Sequence, residues 1–174
     1  MILYYAIGGG LGHLSRSLAI LQELPHSLVA RMRVLASSRH TALAMPSFPC
    51  PVDRVPGELL TSRQAYLHYL ENYLEQHRIS AIILDTFPFG IVGEWLEIGL
   101  SIPRLLVARS LKWEAYQERI RHREGLFPQH TLAIEMLPDE YVRKLEYESQ
   151  VSRIDAPITL LTKGAVQTDQ PKRQ

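Results

Sequence analysis

A run of glycines that ends in a histidine is the segment of this sequence best suited to chemistry. Residues 8–13 read Gly-Gly-Gly-Leu-Gly-His and follow the short apolar run of residues 2–7. Glycines let a backbone turn tightly and approach a ligand closely. A helix that starts behind them directs unpaired N–H groups and its positive dipole end at an anion. We therefore predict a site for a phosphate, a pyrophosphate or a sugar-linked oxygen, although a glycine-rich turn without a ligand is the alternative. The predicted backbone contacts come from Gly8, Gly9, Gly10 and Gly12.

A dinucleotide site is the main rival for this loop. The G-x-G-x-x-G/A pattern fits Gly8 and Gly10, but His13 stands at the third glycine position. The acidic residue expected at the end of the second strand is absent, since residues 36–39 read Ala-Ser-Ser-Arg. These departures disfavour NAD. They leave an NADP-dependent oxidoreductase, with Arg39 on the 2′-phosphate, as a weaker alternative.

The elements around the loop alternate between apolar strands and amphipathic helices. Strands are predicted at residues 2–7, 33–36, 52–55, 80–84, 102–108, 131–136 and 156–161. Helices are predicted at residues 14–24, 61–77, 89–100, 111–123 and 138–148, with a short one reaching Ala44. Thr61 or Ser62 is expected to cap the helix that begins there. This alternation predicts an α/β fold with a Rossmann-like, doubly wound, mostly parallel sheet.

The predicted strand order brings a carboxylate close to the glycine loop. In a 3-2-1-4-5 order strand 1 neighbours strand 4, so His13 and Asp85 both point toward one cleft. A carboxylate beside an imidazole fixes its tautomer and stabilises its protonated form, which suits a general base. The alternative is that Asp85 caps the following helix or turn, with Thr86 and Pro88 shaping that turn.

Further candidates lie at the same end of the predicted sheet. Arg109 and Ser110 follow strand 5, where they either bind an acceptor or close a helix turn. Glu135 ends the predicted sixth strand. The helix at 111–123 is rich in basic residues, which suits a phosphorylated acceptor or peripheral contact with an anionic membrane, although a solvated helix face explains the pattern more simply. No spacing of His, Cys, Asp and Glu predicts a metal site.

Length and composition narrow the class of protein. The 174 residues fit one domain, predicted at 1–166, followed by a polar and frayed tail at 167–174. A hydrophobic fraction of 46% and a charged fraction of 21% are typical of a soluble globular protein. The formal net charge of +1 gives no reason to expect nucleic-acid binding, and the lone Cys50 cannot form an internal disulfide. A cytoplasmic location is expected, since no signal peptide or bilayer-spanning run is evident.

The first βα turn resembles that of GT-B glycosyltransferases. Residues 8–19 read Gly-Gly-Gly-Leu-Gly-His-Leu-Ser-Arg-Ser-Leu-Ala, and the pattern is most similar to MurG-like enzymes and predicted glycosyltransferases with a G-x-G-H-x-x-R turn. The resemblance implies that this loop lies at a cleft between two Rossmann-like domains, where it faces the acceptor and the donor phosphates. It carries over to Gly10, Gly12, His13 and Arg16.

The resemblance also implies what the chain does. Some GT-B families use a His–Asp pair, and the matching positions here are His13 and Asp85. The expected activity is hexosyl transfer from a nucleotide-sugar, without a further cofactor, to a sugar, a lipid-linked or a small-molecule acceptor. A complete GT-B enzyme has a second Rossmann-like domain that grips the donor, so a donor-binding C-terminal domain or chain is the expected partner. The other hypotheses are the NADP-dependent oxidoreductase and a non-catalytic binding or scaffold protein.

Overall fold

A central parallel sheet runs through the part of the chain that the structure describes. The computed structural model describes residues 1–8, 10–37, 40–148 and 150–153. The strands are β1 (Ile2–Ala6), β2 (Met32–Ala36), β3 (Val52–Arg54), β4 (Ala81–Asp85), β5 (Arg104–Ala108), β6 (His130–Ala133) and β7 (Gln150–Arg153). They stand in the order β3-β2-β1-β4-β5-β6-β7, and every neighbouring pair is parallel. The fold is α/β and Rossmann-like, which confirms the predicted class and the predicted 3-2-1-4-5 order.

Helices cover both faces of this sheet. They are α1 (Leu11–Glu23), α2 (His26–Val29), α3 (Thr41–Ala44), α4 (Arg63–Gln76), α5 (Trp113–Arg119) and α6 (Asp139–Glu148). Alternate residues of β1 divide the core, since Tyr4 packs with α1 on one face while Tyr5 packs with α4, α5 and α6 on the other. The Ser62 hydroxyl accepts the Ala65 N–H at 3.4 Å, as expected of a residue capping α4.

The strand order reverses at β1, and this reversal positions the site. The chain proceeds outward from β1 to β2 and β3, then returns to add β4 on the other side of β1. The register pairs Tyr5 with Leu84, so the carboxyl ends of β1 and β4 lie side by side. The loops that follow these two strands therefore open at the same edge, which is where doubly wound sheets bind ligands.

Some predicted elements differ from those observed. Helix α5 is shorter than the predicted helix at 111–123, and the strand Gln150–Arg153 was not predicted. The predicted strand at 156–161 and the tail at 167–174 lie outside the described residues.

The predicted helix at 89–100 is wrong. This segment is mostly loop, with a three-residue 3₁₀ turn at Glu94–Leu96. Gly90 and Gly93 have φ of 82° and 74°, in the left-handed region that interrupts a right-handed helix. The Glu94 carboxylate accepts the N–H of Ile91 at 3.0 Å and of Val92 at 2.8 Å, so a side chain takes amides that a helix would bond to its own backbone.

Glu94 also ties this loop to the centre of the sheet. Its side chain is fully buried, and the Tyr5 hydroxyl of β1 donates to it. The Tyr5 hydroxyl is also hydrogen-bonded to the hydroxyl of Tyr66 on α4. A Cβ at Gly90 would lie 2.1 Å from the Glu94 carboxyl carbon, so only glycine leaves room for this arrangement. Burial raises the pKa of Glu94, and its hydrogen bonds offset only part of that effect.

The raised pKa predicts a pH-dependent stability. Because the folded state holds the Glu94 proton more tightly than the unfolded state does, the free energy of unfolding falls as the pH rises above the usual glutamate pKa of about 4.3. The loss is about 1.4 kcal/mol for each unit by which the pKa is raised. Glu94→Gln is expected to remove this part of the pH dependence, measured by urea unfolding between acid and neutral pH.

Glu97 provides a control of opposite sign. The Arg63 guanidinium lowers the pKa of Glu97, so this residue stabilises the fold above the usual glutamate pKa and stops doing so as the pH falls through its lowered value. The wild type is therefore expected to gain stability over Glu97→Gln as the pH rises. An unchanged pH slope in Glu94→Gln would contradict the account of Glu94.

Candidate active site at the ends of β1 and β4

The structure brings His13 and Asp85 into direct contact. The Nδ1 atom of the His13 imidazole is hydrogen-bonded to Oδ2 of Asp85, the last residue of β4. Helix α1 begins at Leu11, three residues earlier than predicted, so His13 lies in its first turn. The expectation that the strand order brings these two side chains together is confirmed, and their opening onto a cleft stays a prediction.

Asp85 is held mainly by a buried arginine from α1. Arg16 donates from Nε to Oδ1 at 2.6 Å and from Nη2 to Oδ2 at 2.8 Å, while the Asp85 side chain has an exposed fraction of 0%. Burial disfavours the charged guanidinium, but the hydrogen bonds and charge of Asp85 outweigh it, so the pKa of Arg16 is raised. His13 and Arg16 are three residues apart and share one face of α1, so both reach the same carboxylate.

The alternative role of Asp85 as a cap is not what the structure shows. Its carboxylate contacts His13 and Arg16, both on α1, and no helix follows it directly. The next residue, Thr86, has φ of 72°, an unusual left-handed conformation for a β-branched residue. Its hydroxyl accepts from Arg16 Nη2 at 3.2 Å, which extends the same network.

The contact with Asp85 determines which nitrogen of His13 is free. A carboxylate accepts hydrogen bonds and does not donate them, so Nδ1 carries the proton and Nε2 of the neutral ring keeps a lone pair. The ring stacks on Phe87 at a centroid distance of 5.8 Å, and its side chain has an exposed fraction of 16%. The imidazole is thus held by Asp85 and Phe87, and only a small part of the side chain is exposed.

Gly8 makes room for this imidazole. A Cβ built on Gly8 would lie 2.1 Å from Nε2 and 2.2 Å from Cδ2 of His13, which is closer than atoms approach. The Gly8 N–H donates to the Ser37 hydroxyl at 3.0 Å, and that hydroxyl donates to the Gly8 carbonyl at 3.1 Å. The Gly8 amide is therefore occupied by Ser37 rather than open to a phosphate.

The open amides lie at the start of α1. Gly10 is the N-cap, with φ of −116° and ψ of 175°, and no side chain of the described residues caps the helix. The first N–H groups of a helix lack partners within it, so those of Leu11 and Gly12, both exposed residues, are available to an anion. Phosphate binding by Gly10, Gly12 and Arg16 stays a prediction, and Arg16 uses two nitrogens on Asp85. Gly9 and Arg39 lie outside the described residues.

Arg109 and Ser110 meet a carboxylate at the end of β5. Arg109 donates from Nε to Glu135 Oε2 at 2.9 Å, and the Ser110 N–H donates to Oε1 at 2.7 Å. Burial alone would raise the pKa of Glu135, but these two donors and the more distant charge of Arg16 lower it. Glu135 thereby connects the loop after β6 to the loop after β5. Acceptor binding by Arg109 or Ser110 stays a prediction.

Sequence reasoning missed two residues that border the His13–Asp85 pair. Phe87 stacks on His13, and its aromatic character three positions before Gly90 carried no distinguishing signal. The Tyr4 hydroxyl is buried and has no hydrogen-bond partner within the described ranges. Burial raises the pKa of Tyr4 well above its usual value, and the charge of Asp85 adds to the effect. The alternation of β1 places Tyr4 under α1, and this alternation is the signal that could have identified it.

Comparisons of the chain with protein-family models, with curated proteins and with solved structures found no match. In the described part of the chain no helix is both long and apolar enough to cross a bilayer. The same residues include no group of three or more His, Cys, Asp and Glu side chains arranged to hold a metal ion.

The space around Gly8 gives a first test. Gly8→Ala is expected to displace the His13 ring from Asp85 and to lower the free energy of unfolding by about 1–3 kcal/mol, the usual cost of overpacking. Gly12→Ala is the matched control, since no atom of the described residues lies within 4 Å of its added Cβ and alanine favours a helix. NMR spectra are expected to show shifted His13 ring resonances only in Gly8→Ala. Unchanged resonances in that variant would contradict the packing described.

The burial of Asp85 gives a second test. Asp85→Ala leaves the Arg16 charge buried without a partner and is expected to lower the free energy of unfolding by about 3–5 kcal/mol. Glu135→Ala removes a pair whose side chains are 33% and 41% exposed, and is expected to cost less than about 1 kcal/mol. Chemical denaturation measures both values. Equal losses in the two variants would show that Asp85 is no more important than a surface ion pair.

Proposed function

We propose that the chain is the acceptor-side half of a nucleotide-sugar-dependent glycosyltransferase, with His13 as its general base. The observation that carries the proposal is the contact of His13 Nδ1 with the buried Asp85 carboxylate, which leaves Nε2 with a free lone pair. This pair lies at the strand reversal, beside the open amides of α1. The similarity of residues 8–19 to the first βα turn of GT-B enzymes points to the same chemistry.

The proposed reaction uses each of these groups once. The acceptor hydroxyl gives its proton to His13 Nε2 while its oxygen bonds to the anomeric carbon of the donor sugar. The bond from that carbon to the nucleoside diphosphate breaks, and the diphosphate leaves with the electron pair. Asp85 stabilises the imidazolium that forms. The first amides of α1 offer hydrogen bonds and a positive dipole end to the departing diphosphate.

A cavity whose lining does not include His13 or Asp85 supports an acceptor site on this domain. It has a volume of about 600 Å³ and lies between α5 and α6, after the carboxyl ends of β5 and β6. Trp113 and Tyr141 line it together with two lysines and two glutamates, which are Lys112, Lys144, Glu114 and Glu140. Contacts between rings connect the cavity to the base, since Phe87 packs against both His13 and Tyr116, and Tyr116 packs against Trp113. Aromatic faces bordered by polar side chains of both charges suit a sugar acceptor.

The proposal assigns the donor sugar to a second Rossmann-like domain. In GT-B enzymes that domain grips the nucleotide, and the reaction occurs in the cleft between the two domains. The partner expected here is therefore a donor-binding domain, on the same polypeptide or on a separate one, that faces the carboxyl edge of the sheet. This arrangement would enclose His13 and the α1 amides and keep water from the reacting atoms.

Transfer in a cell extract tests the function. An extract of source cells lacking this chain supplies the donor-binding partner and acceptor, and labelled UDP-sugars and GDP-sugars are added in turn. Adding the wild-type chain is expected to restore transfer of label to product. His13→Ala is expected to restore at most about one hundredth of that rate, because general-base catalysis contributes about 10²–10⁴-fold. His26→Ala, which removes an exposed histidine on α2, is the control and is expected to restore it fully.

Three outcomes would contradict the proposal. Full restoration of transfer by His13→Ala would exclude His13 as the base, provided that both variants melt at the wild-type temperature. Oxidation of NADPH that depends on the chain, in place of transfer, would identify an oxidoreductase. Failure of the wild-type chain to stimulate transfer from any donor would favour a non-catalytic binding protein.

A further inference from the structure

A second cavity is lined by four arginines and lies apart from His13, Arg16 and Asp85. It has a volume of about 410 Å³, in the range of small-molecule pockets. It lies between the start of α4, the loop after β4 and the end of α5. Its lining residues are Leu60, Thr61, Arg63, Tyr66, Ile91, Val92, Arg119, Ile120, Arg121 and Arg123. We call it the arginine groove, and it shares no residue with the proposed active site.

Two of the four arginines share one carboxylate at the edge of the groove. Arg63 donates from Nη2 to Glu97 Oε1 at 2.7 Å, and Arg123 pairs with the same oxygen from Nη1. Arg123 also donates from Nη2 to the carbonyl of Val92 at 3.0 Å. These contacts fix both guanidinium groups in place, but a single carboxylate neutralises only one of the two charges.

The other two arginines increase the positive charge of the groove. Arg119 and Arg121 are exposed, and within the described ranges neither side chain makes a hydrogen bond or an ion pair. Like charges gathered around one concave surface repel each other and raise its potential. A groove of this kind attracts an anion, which would relieve the repulsion.

The backbone at Arg121 holds an unfavourable conformation. Arg121 and His122 have φ of 59° and 51°, so two successive residues other than glycine lie in the left-handed region. Their amides are hydrogen-bonded, from Arg121 to the carbonyl of Glu118 at 2.9 Å and from His122 to that of Gln117 at 2.7 Å. This turn ends α5 and directs the chain so that Arg121 lines the groove. A glycine would adopt the same turn at a lower conformational cost.

We propose that the arginine groove binds a small phosphorylated molecule. Guanidinium groups present paired N–H donors that match phosphate oxygens, and Arg119 and Arg121 have these donors unused. Leu60, Ile91 and Val92 add an apolar wall for the organic part of the ligand. A flat membrane surface would leave a concave groove unfilled, so the shape favours a small ligand. The site goes beyond the proposed transfer reaction and does not depend on it.

Titration calorimetry with inorganic pyrophosphate tests the site. The whole chain is titrated at low ionic strength, where binding to exposed cations is strongest. Arg119→Gln combined with Arg121→Gln is expected to weaken binding roughly tenfold or more, because charge-assisted hydrogen bonds are lost. Arg31→Gln combined with Arg143→Gln removes two exposed arginines outside the groove and changes the net charge equally. This control pair is expected to change the affinity less than about twofold.

Glycine substitutions separate the role of the side chain from that of the fold. Arg121→Gly is expected to raise the melting temperature, since it relieves the left-handed backbone, and to weaken pyrophosphate binding. His122→Gly is expected to raise the melting temperature and leave binding unchanged, since His122 does not line the groove. Because both variants are expected to be more stable than the wild type, weaker binding by Arg121→Gly alone cannot be attributed to unfolding.

The outcomes that would overturn the proposal are distinct. Absence of pyrophosphate binding by the wild-type chain would overturn it, and so would equal losses in the groove and control pairs. Sedimentation with phosphatidylglycerol vesicles is measured in parallel. Arginine-dependent binding to vesicles that pyrophosphate does not displace would identify a membrane surface as the occupant and overturn the small-ligand site.

Discussion

The ion pair between Arg16 and the buried carboxylate of Asp85 is the interaction on which the candidate site depends. It joins α1 to the end of β4 across the point where the strand order reverses. Two buried charges are tolerated there because two short hydrogen bonds connect them, and neither charge would be stable in that position alone. The same carboxylate orients His13, so the position of the imidazole follows from the packing of α1 on the sheet. Asp85 therefore both stabilises the packing of α1 on the sheet and orients the His13 imidazole.

A second buried carboxylate organises the opposite face of the same strand. Tyr4 and Tyr5 are adjacent in β1 and point to opposite sides, one into the field of Asp85 and the other onto Glu94. Glu94 accepts hydrogen bonds from backbone N–H groups of its own loop, whereas Asp85 is bonded to two side chains of α1. The loop after β4 is thus held at its start by the contacts of Asp85 and further along by those of Glu94. This leaves its outer surface to form one wall of the arginine groove.

The sequence predicted the framework better than the side-chain partnerships. Apolar runs and βα alternation located β1 to β6, and the strand order then placed His13 beside Asp85. The pairing of Arg16 was not predicted, because it depends on α1 starting at Leu11, which puts His13 and Arg16 on one helical face. The helix predicted at 89–100 is wrong because apolar periodicity does not reveal side-chain hydrogen bonds. The Glu94 carboxylate accepts two backbone N–H groups of its own loop, which a helix would bond to its own carbonyls. The contact between Arg16 and Asp85 joins residues 69 positions apart, which local sequence patterns do not reveal.

The tautomer of His13 is the measurement that tests this account most directly. Nitrogen-15 NMR of the imidazole, recorded at a pH where the ring is neutral, reports which nitrogen carries the proton. The account predicts a proton on Nδ1, held by Asp85, and loss of that preference in Asp85→Asn. A proton on Nε2 in the wild-type chain would contradict it, because the nitrogen assigned to accept the acceptor's proton would already carry one.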